Sequence, residues 1–391
     1  MAVPYWRLSS FYFFYFAILG VILPYWSLYL KQIGFNAQQI GELTALMVVT
    51  RIVAPNLLGW LADKTGKRLR LIRMTSLLAA LVFLGFWWQQ SYTWFALVTL
   101  GFSFFWNACL PQFEAVTLFH LKNTGQQQYS RIRLWGSIGF VLSVFGIGQV
   151  LDRISTLYVP HIILGLMLCN WLSAIITPEA ETTAKPLEQR GIMQVLRNKE
   201  IWAFFVVYFL LQISHGPYYT FFSVYLQQHG YSTGMTGGLW ALGVCAEILL
   251  FSTAARFIKF FGLRKLLLLS LLLTVLRWYL VAYYIDNLIC LTSAQLLHAA
   301  SFGVTHVVAI QLLFKYFGEQ HQGKGQAFYS SLSYGLGGMC GSLYSGYGWE
   351  MLGATQVFVI AAAASALAFV IAAIGVARSE RITVTTHDAA I

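Results

Sequence analysis

Stretches of about twenty apolar residues recur along the chain, and short runs of basic residues separate them. Twenty residues is the length a helix needs to cross the hydrocarbon core of a bilayer, so this spacing limits the chain to very few architectures. The rest of the composition agrees. Of 391 residues, 58% are hydrophobic and only 10% charged, with a mean hydropathy of +0.66. Soluble domains carry about 25% charged residues. So little charge cannot clothe a surface that faces water. The pattern predicts an all-α membrane protein with twelve spans, at 8–30, 41–61, 73–90, 93–118, 133–151, 158–177, 201–226, 236–256, 264–284, 288–314, 325–346 and 352–377.

The formal charge of +11 invites a nucleic-acid reading, but the placement of the charges excludes it. Nucleic-acid binders gather Lys and Arg on one face or stripe. Here 21 of the 25 basic residues fall at the two termini or in the loops that follow even-numbered spans. Lys31 and Arg153 lie in the opposite loops, and Arg51 and Arg277 lie inside spans. That bias predicts cytoplasmic N- and C-termini, and it supports an even span count. The first apolar run has no small-residue cleavage pattern and reads as a retained anchor.

The longest polar segment, Pro178 to Lys199, divides the spans six and six. The expected organisation is therefore an N-terminal six-helix bundle over 1–177, a cytoplasmic linker over 178–200, and a C-terminal six-helix bundle with a short tail over 201–391. Cys109, Cys169, Cys245, Cys290 and Cys340 stand singly in apolar segments and form neither a metal-ligand spacing nor a disulfide framework. The chain shows no nucleophile with its base and no H-E-x-x-H pattern, and its tails are too short for a soluble output domain. Neither enzyme nor sensor is expected, and no cofactor or metal is called for.

Ionisable side chains deep in a span are costly unless paired or wetted, so their default reading is functional. Glu114, Glu247, Arg277, His298 and His306 lie at such depths. Arg277 offers a planar fork that matches a carboxylate, either the substrate's or that of Glu247 in an empty site. Glu247 is the expected proton carrier. His298 shares a helix face with Ser301 and Thr305, while His306, eight residues on, falls about 80° round an α-helix. His215 precedes Gly216-Pro217, where a helix break is expected to free carbonyls. Glu114 pairs with Arg133 or Arg131. Trp135, Phe140, Tyr218, Tyr219 and Trp278 lie beside this polar set in sequence and are candidates to sandwich an aromatic ring. Arg51 either pairs with Glu42 or faces water, and no role is assigned to it.

The loop after span two reads Gly59-Trp-Leu-Ala-Asp63-Lys-Thr-Gly66-Lys67-Arg68, and the loop after span eight echoes it from Ala255 to Arg264. The first resembles the signature G-x-x-x-D-x-x-G-[RK]-[RK] of the major facilitator superfamily. The resemblance implies two pseudo-symmetric six-helix bundles, and a gating motif of Gly59, Asp63, Gly66, Lys67 and Arg68. Gly59 lets two helices approach; Asp63 accepts from helix N-terminal amides or pairs with a basic residue.

Two further stretches, Asn107 to Ala115 and Tyr129 to Phe140, resemble spans four and five of the lactose permease branch. That likeness implies a substrate-binding pair in Glu114 and Arg133, and it matches Glu247, Arg277 and His298 to that branch's intramembrane set. Ser301 stands where the branch has its proton-carrying acid, and Gln295 where it has a lysine, so a sugar site and its relay do not carry over whole. Arg-Leu-Trp-Gly-Ser at 133–137, Leu239 to Glu247, Val275 to Trp278, Leu297-His298 and Ser214 to Tyr219 are similar to the bacterial 3-phenylpropionate transporter family over nearly the whole chain. This implies a monomeric, proton-linked importer in a bacterial inner membrane. The expected substrate is a small aromatic carboxylate, held by Arg277, Glu114, Arg133, Trp135, Tyr218, Tyr219 and Trp278. Glu247, His298, His306 and His215 would carry the coupling. The alternative is a neutral sugar or nucleoside as the transported ligand.

Overall fold

The computed structural model describes residues 3–122, 126–179 and 196–376. Most of the expected linker, 180–195, and the tail beyond 376 lie outside the described residues. Among the described residues there is no strand. A backbone immersed in lipid must satisfy its own N–H and C=O groups, and these apolar runs do so as helices. They are α1 (Tyr5–Gln32), α2 (Ala37–Thr65), α3 (Arg68–Phe83, tightening to a 3-10 turn over Leu84–Trp87), α4 (Tyr92–His120), α5 (Gln126–Leu151) and α6 (Val159–Ile176). There follow α7 (Lys199–Gln228), α8 (Thr233–Ala254), α9 (Arg256–Tyr283), α10 (Leu288–Gly318), α11 (319–351) and α12 (Ala354–Gly375). Eleven of these are long and apolar enough to cross a membrane; α11, rich in Ser and Gly, is the exception. Prolines 24, 55, 111 and 217 lie inside α1, α2, α4 and α7 without ending them.

The chain divides into two compact units. One holds α1 to α6 together with Ser232–Gly238, and the other holds α7 and the chain from Leu239 onward. In the first, α1 packs on α5 and α6; in the second, α7 packs on α11 and α12. Gly216 permits the α7–α11 contact, since a Cβ there would stand 2.3 Å from the carbonyl carbon of Gly341.

The internal repeat is visible in the backbone as a constant shift of 196 residues (Gly34 to Gly230). Gly34 and Gly230, and Gly66 and Gly262, all take positive φ, at 99°, 79°, 66° and 75°. In the same register α1 and α7 end at Gln32 and Gln228, α2 and α8 begin at Ala37 and Thr233, and α4 and α10 begin at Tyr92 and Leu288. The caps follow suit: Asn36 accepts from the Gln39 amide, and the Ser232 hydroxyl from the Met235 amide. The echo in the two basic loops is thus one part of a repeat that runs through four helices of each unit.

Candidate functional site

In the second unit, α7, α8, α9 and α10 bring polar side chains together in an apolar interior. Arg277 is fully buried. Its Nε donates to the Ala294 carbonyl at 3.0 Å and its Nη1 to Ser301 Oγ at 2.8 Å. Tyr218 and Trp278 cover the guanidinium, with ring centroids 4.3 and 4.4 Å from its central carbon. Among the described residues its Nη2 has no hydrogen-bond acceptor, and Arg277 forms no ion pair. The Arg277–Glu247 pair expected of an empty site is therefore not formed. The carboxylate of Glu247 turns instead to His298, 3.5 Å from its Nε2. Ser301, one helical turn along from His298, occupies Arg277 and also donates to the His298 carbonyl.

Around this centre Tyr218 donates to Gln295 Oε1 at 2.9 Å, and its ring lies 4.5 Å from Trp240, whose indole N–H donates to Ser223. Trp278 donates to Ser214 Oγ and meets His215 edge-on. Gln295 Nε2, His298 Nδ1 and His215 Nε2 are buried and without hydrogen-bond partners among the described residues. Tyr218, Trp240 and Trp278 are buried against one another and present no free face here; Tyr219 beside them is half-buried. Trp240 and Tyr334 were not singled out from the sequence. An aromatic at helical spacing looks the same whether it packs on lipid or on a buried arginine.

Two expectations about the histidines need correction. α7 runs unbroken through Gly216-Pro217, and His215 lies within it, its Nδ1 2.8 Å from the Leu211 carbonyl, packed between Tyr219 and Trp278. Nor does His306 stand about 80° from His298, a figure that assumes α-helical turns throughout. Residues Ala299–Val304 form a π-helix, whose wider turn advances less per residue and returns His306 to the face of His298. The rings of His298, Phe302 and His306 stack in a column, with centroids 5.4 and 6.2 Å apart and planes within 9° and 5° of parallel. His306 Nδ1 meets Tyr334 Oη at 3.2 Å. Tyr334 belongs to a second π-helical segment, Ser330–Gly337 in α11.

The first unit holds a separate set. Glu114 on α4 and Arg133 on α5 face each other at 3.9 Å, each about one-third exposed. Arg133 lies over Phe16 at 3.9 Å and near Tyr12 at 5.6 Å, and Tyr12 donates to Thr117 Oγ1. Phe16 follows Tyr12 by four residues on α1, a helical spacing that was available to find the pair. Trp135 does not join this set. Its indole N–H donates to Tyr5 Oη, and its ring packs on Trp6, toward the chain's N-terminus.

In the loop motif, Arg68 bonds both the Asp63 carboxylate and the Gln112 side chain of α4. The bare backbone at Gly59 admits that glutamine, since a Cβ there would lie 3.0 Å from its Nε2. Most of the motif is the last two turns of α2, which ends on the left-handed Gly66; Lys67 stands just before α3 and makes no capping bond with its side chain.

A helical chain of this hydropathy, built from repeated units with ionisable groups buried at mid-span, has the make-up of a polytopic membrane protein of the kind that transporters form. Residues 5–360 match the MFS_1 like family, and the chain belongs to it. It is 29% identical over 361 residues to a probable 3-phenylpropionic acid transporter of Escherichia coli K12, covering 90% of this chain and 92% of that one. It is 28% identical over 364 residues to the maltose permease of Geobacillus stearothermophilus, covering 89% of each. Its fold superposes on the crystal structure of the nucleoside transporter NupG with a TM-score of 0.85 at 18% identity, over 96% of this chain and 99% of that one.

Proposed function

We propose that the chain is a proton-coupled symporter that imports a small aromatic carboxylate, such as 3-phenylpropionate, by alternating access. In this reading it works as a monomer in a bacterial inner membrane, with both termini in the cytoplasm. One observation carries the proposal: Arg277 is fully buried, yet only neutral groups accept from it. A buried cation without an anion is costly, and a substrate carboxylate would supply the missing charge at Nη2. The aromatic residues beside it, and the relative whose printed substrate is 3-phenylpropionic acid, favour an aromatic acid.

The coupling proton belongs to the Glu247–His298 pair in this reading. One proton more on that pair offsets the charge brought by a bound anion, and Ser301 links it to Arg277. Uptake of labelled 3-phenylpropionate, with and without a protonophore, tests the coupling. Accumulation that ignores the protonophore removes it, and full uptake by Arg277→Lys removes the carboxylate role.

A neutral sugar or nucleoside is the second reading. The partly exposed Glu114–Arg133 pair favours it, because a balanced ion pair offers hydroxyl groups both donors and acceptors without needing an anion. Competition of uptake by sugars, nucleosides and aromatic acids separates the two.

A further inference from the structure

Arg277 is poorly placed to hold a carboxylate by itself. Two parallel bonds to an anion need two free N–H groups on one edge of the guanidinium. Here Nε is spent on the Ala294 carbonyl and Nη1 on Ser301 Oγ, which leaves Nη2 as the nitrogen without a hydrogen-bond partner among the described residues. One oxygen of a carboxylate can bond to Nη2. The other needs a donor from elsewhere.

The neighbouring turn of α10 carries one. Gln295 directly follows the Ala294 that receives Arg277, and it is fully buried. Its Oε1 accepts from the Tyr218 hydroxyl at 2.9 Å, and with that end of the amide engaged, Nε2 is buried with no hydrogen-bond partner among the described residues. The same Tyr218 ring lies over the guanidinium, 4.3 Å from its central carbon, so one phenol adjoins both unfilled donors. Gly243 brings α8 in close, since a Cβ on it would stand 3.5 Å from the Gln295 carbonyl oxygen and 3.4 Å from His298 Cβ.

A buried N–H without an acceptor costs free energy and is uncommon in folded chains. Two of them beside one ring, one charged and one neutral, match the two oxygens of a single carboxylate. A neutral second donor adds a bond without adding a second cation, so one negative charge balances the site. We propose that Gln295 is a specificity-determining residue of the second unit, donating from Nε2 to one carboxylate oxygen of the substrate while Arg277 Nη2 holds the other. Every residue invoked belongs to that unit. The inference rests on the carboxylate reading above, and it adds what the site rejects. The primary amide of the same acid replaces one acceptor oxygen by an NH2 group, which sets donor against donor at Nη2 or at Nε2. Gln295 thus selects the acid over a neutral molecule of the same shape.

The test uses purified full-length protein and two probes, 3-phenylpropionate and 3-phenylpropionamide, titrated by thermal shift. Wild type is expected to favour the acid by at least about tenfold. Gln295→Glu keeps an acceptor for Tyr218 and changes Nε2 into an oxygen. It is expected to weaken the acid by at least about 100-fold, because like charges then meet, and to bind the amide more tightly than the acid. A role in packing alone would move both probes alike. A wild type indifferent between the probes, or an inserted Gln295→Glu that still favours the acid or binds neither, overturns the proposal. If Gln295→Glu fails to insert, Gln295→Leu decides: a fall of at least about fivefold in the preference for the acid supports recognition, and anything less overturns it. Failure of both variants to insert makes Gln295 a packing residue and overturns it too. A wild-type chain that responds to no carboxylate defeats the functional reading and this inference together. A wild-type chain that favours the acid, with Gln295 variants that favour it equally, defeats this inference alone.

Discussion

The two units hold their buried charge differently. In the first, Glu114 and Arg133 balance each other at 3.9 Å, and each keeps about one-third of its side chain exposed. In the second, Arg277 is fully enclosed and bonded only to a carbonyl and a hydroxyl, while the carboxylate in its neighbourhood faces a histidine. A balanced, wetted pair is stable without a ligand; an enclosed, unbalanced cation is not. The contrast assigns the need for an anion to the second unit, and the predictions below test it.

The largest effect falls on Arg277. Removing one partner of a buried charge-assisted contact weakens binding by about 100-fold, and Arg277→Met is expected to lose affinity for 3-phenylpropionate by that order in a thermal-shift titration. The same variant without ligand should melt no lower than wild type, because replacing an uncompensated buried charge by an apolar side chain is neutral or stabilising. A loss of several degrees in unliganded Arg277→Met would mean that the cation is already satisfied within the protein, and the contrast would fail.

Next come Glu114→Gln and Arg133→Gln. A partly exposed pair contributes about 0–1 kcal/mol, so each variant should shift the melting temperature by only about a degree or two. Under the carboxylate reading each raises the half-saturation for the acid no more than about fivefold, the equivalent of ~1 kcal/mol. Loss of all uptake by either variant, with the response of Arg277→Met small, would reverse the roles of the units and favour the sugar or nucleoside reading. Tyr334→Phe removes a single 3.2 Å contact to His306 and is expected to slow uptake about fivefold, in keeping with the ~1 kcal/mol of one hydrogen bond.

The membrane helices and their repeat were legible because lipid imposes them. Long apolar runs have one way to satisfy their backbones, and charges mark the loops between them. The Glu114–Arg133 pair was legible as costly residues on separate spans; Glu247 and His298 were legible one by one, but the sequence paired Glu247 with Arg277 and not with His298. What stayed hidden depends on local backbone geometry. No residue pattern announces the π-turn at Ala299–Val304, yet that turn decides whether His306 faces His298 or points elsewhere. Pro217 suggested a break in α7 that does not occur, because tight packing of α7 on α11 at Gly216 holds the helix through it. Trp135 follows Arg133 by two residues, and on a helix that spacing sends the two side chains to different faces.

The smallest effect concerns how the equivalent helix starts of α2 and α8 are held. Asn36, a neutral residue, caps α2, whereas the start of α8 has both Ser232 and a carboxylate, Asp152. Asp152 lies just past the end of α5, outside the spans, and accepts from Ser232 Oγ at 2.9 Å, Thr233 Oγ1 at 2.6 Å and the Gly234 amide at 2.9 Å. Partial burial works to raise its pKa, but the bonds from Thr233, Gly234 and Ser232 outweigh it, and the carboxyl titrates below its usual value. A depressed pKa contributes stability that is complete above the unfolded value of about 3.9 and fades as pH falls through the lower folded value. Asp152→Asn keeps an acceptor but loses the charge that favours a helix N-terminus, so at pH 7 it is expected to melt about 1 °C lower than wild type. That difference should shrink as pH falls below about 4, the unfolded carboxylate value, and on through the lower value at which the folded carboxyl takes up its proton. Removing the Asn36 side chain with Asn36→Ala should also lower the melting temperature, by an amount that stays constant over the same range, since no charge is involved. A pH-independent difference for Asp152→Asn would reduce Asp152 to an ordinary neutral cap, and the two helix starts would then be equivalent in chemistry as well as in register.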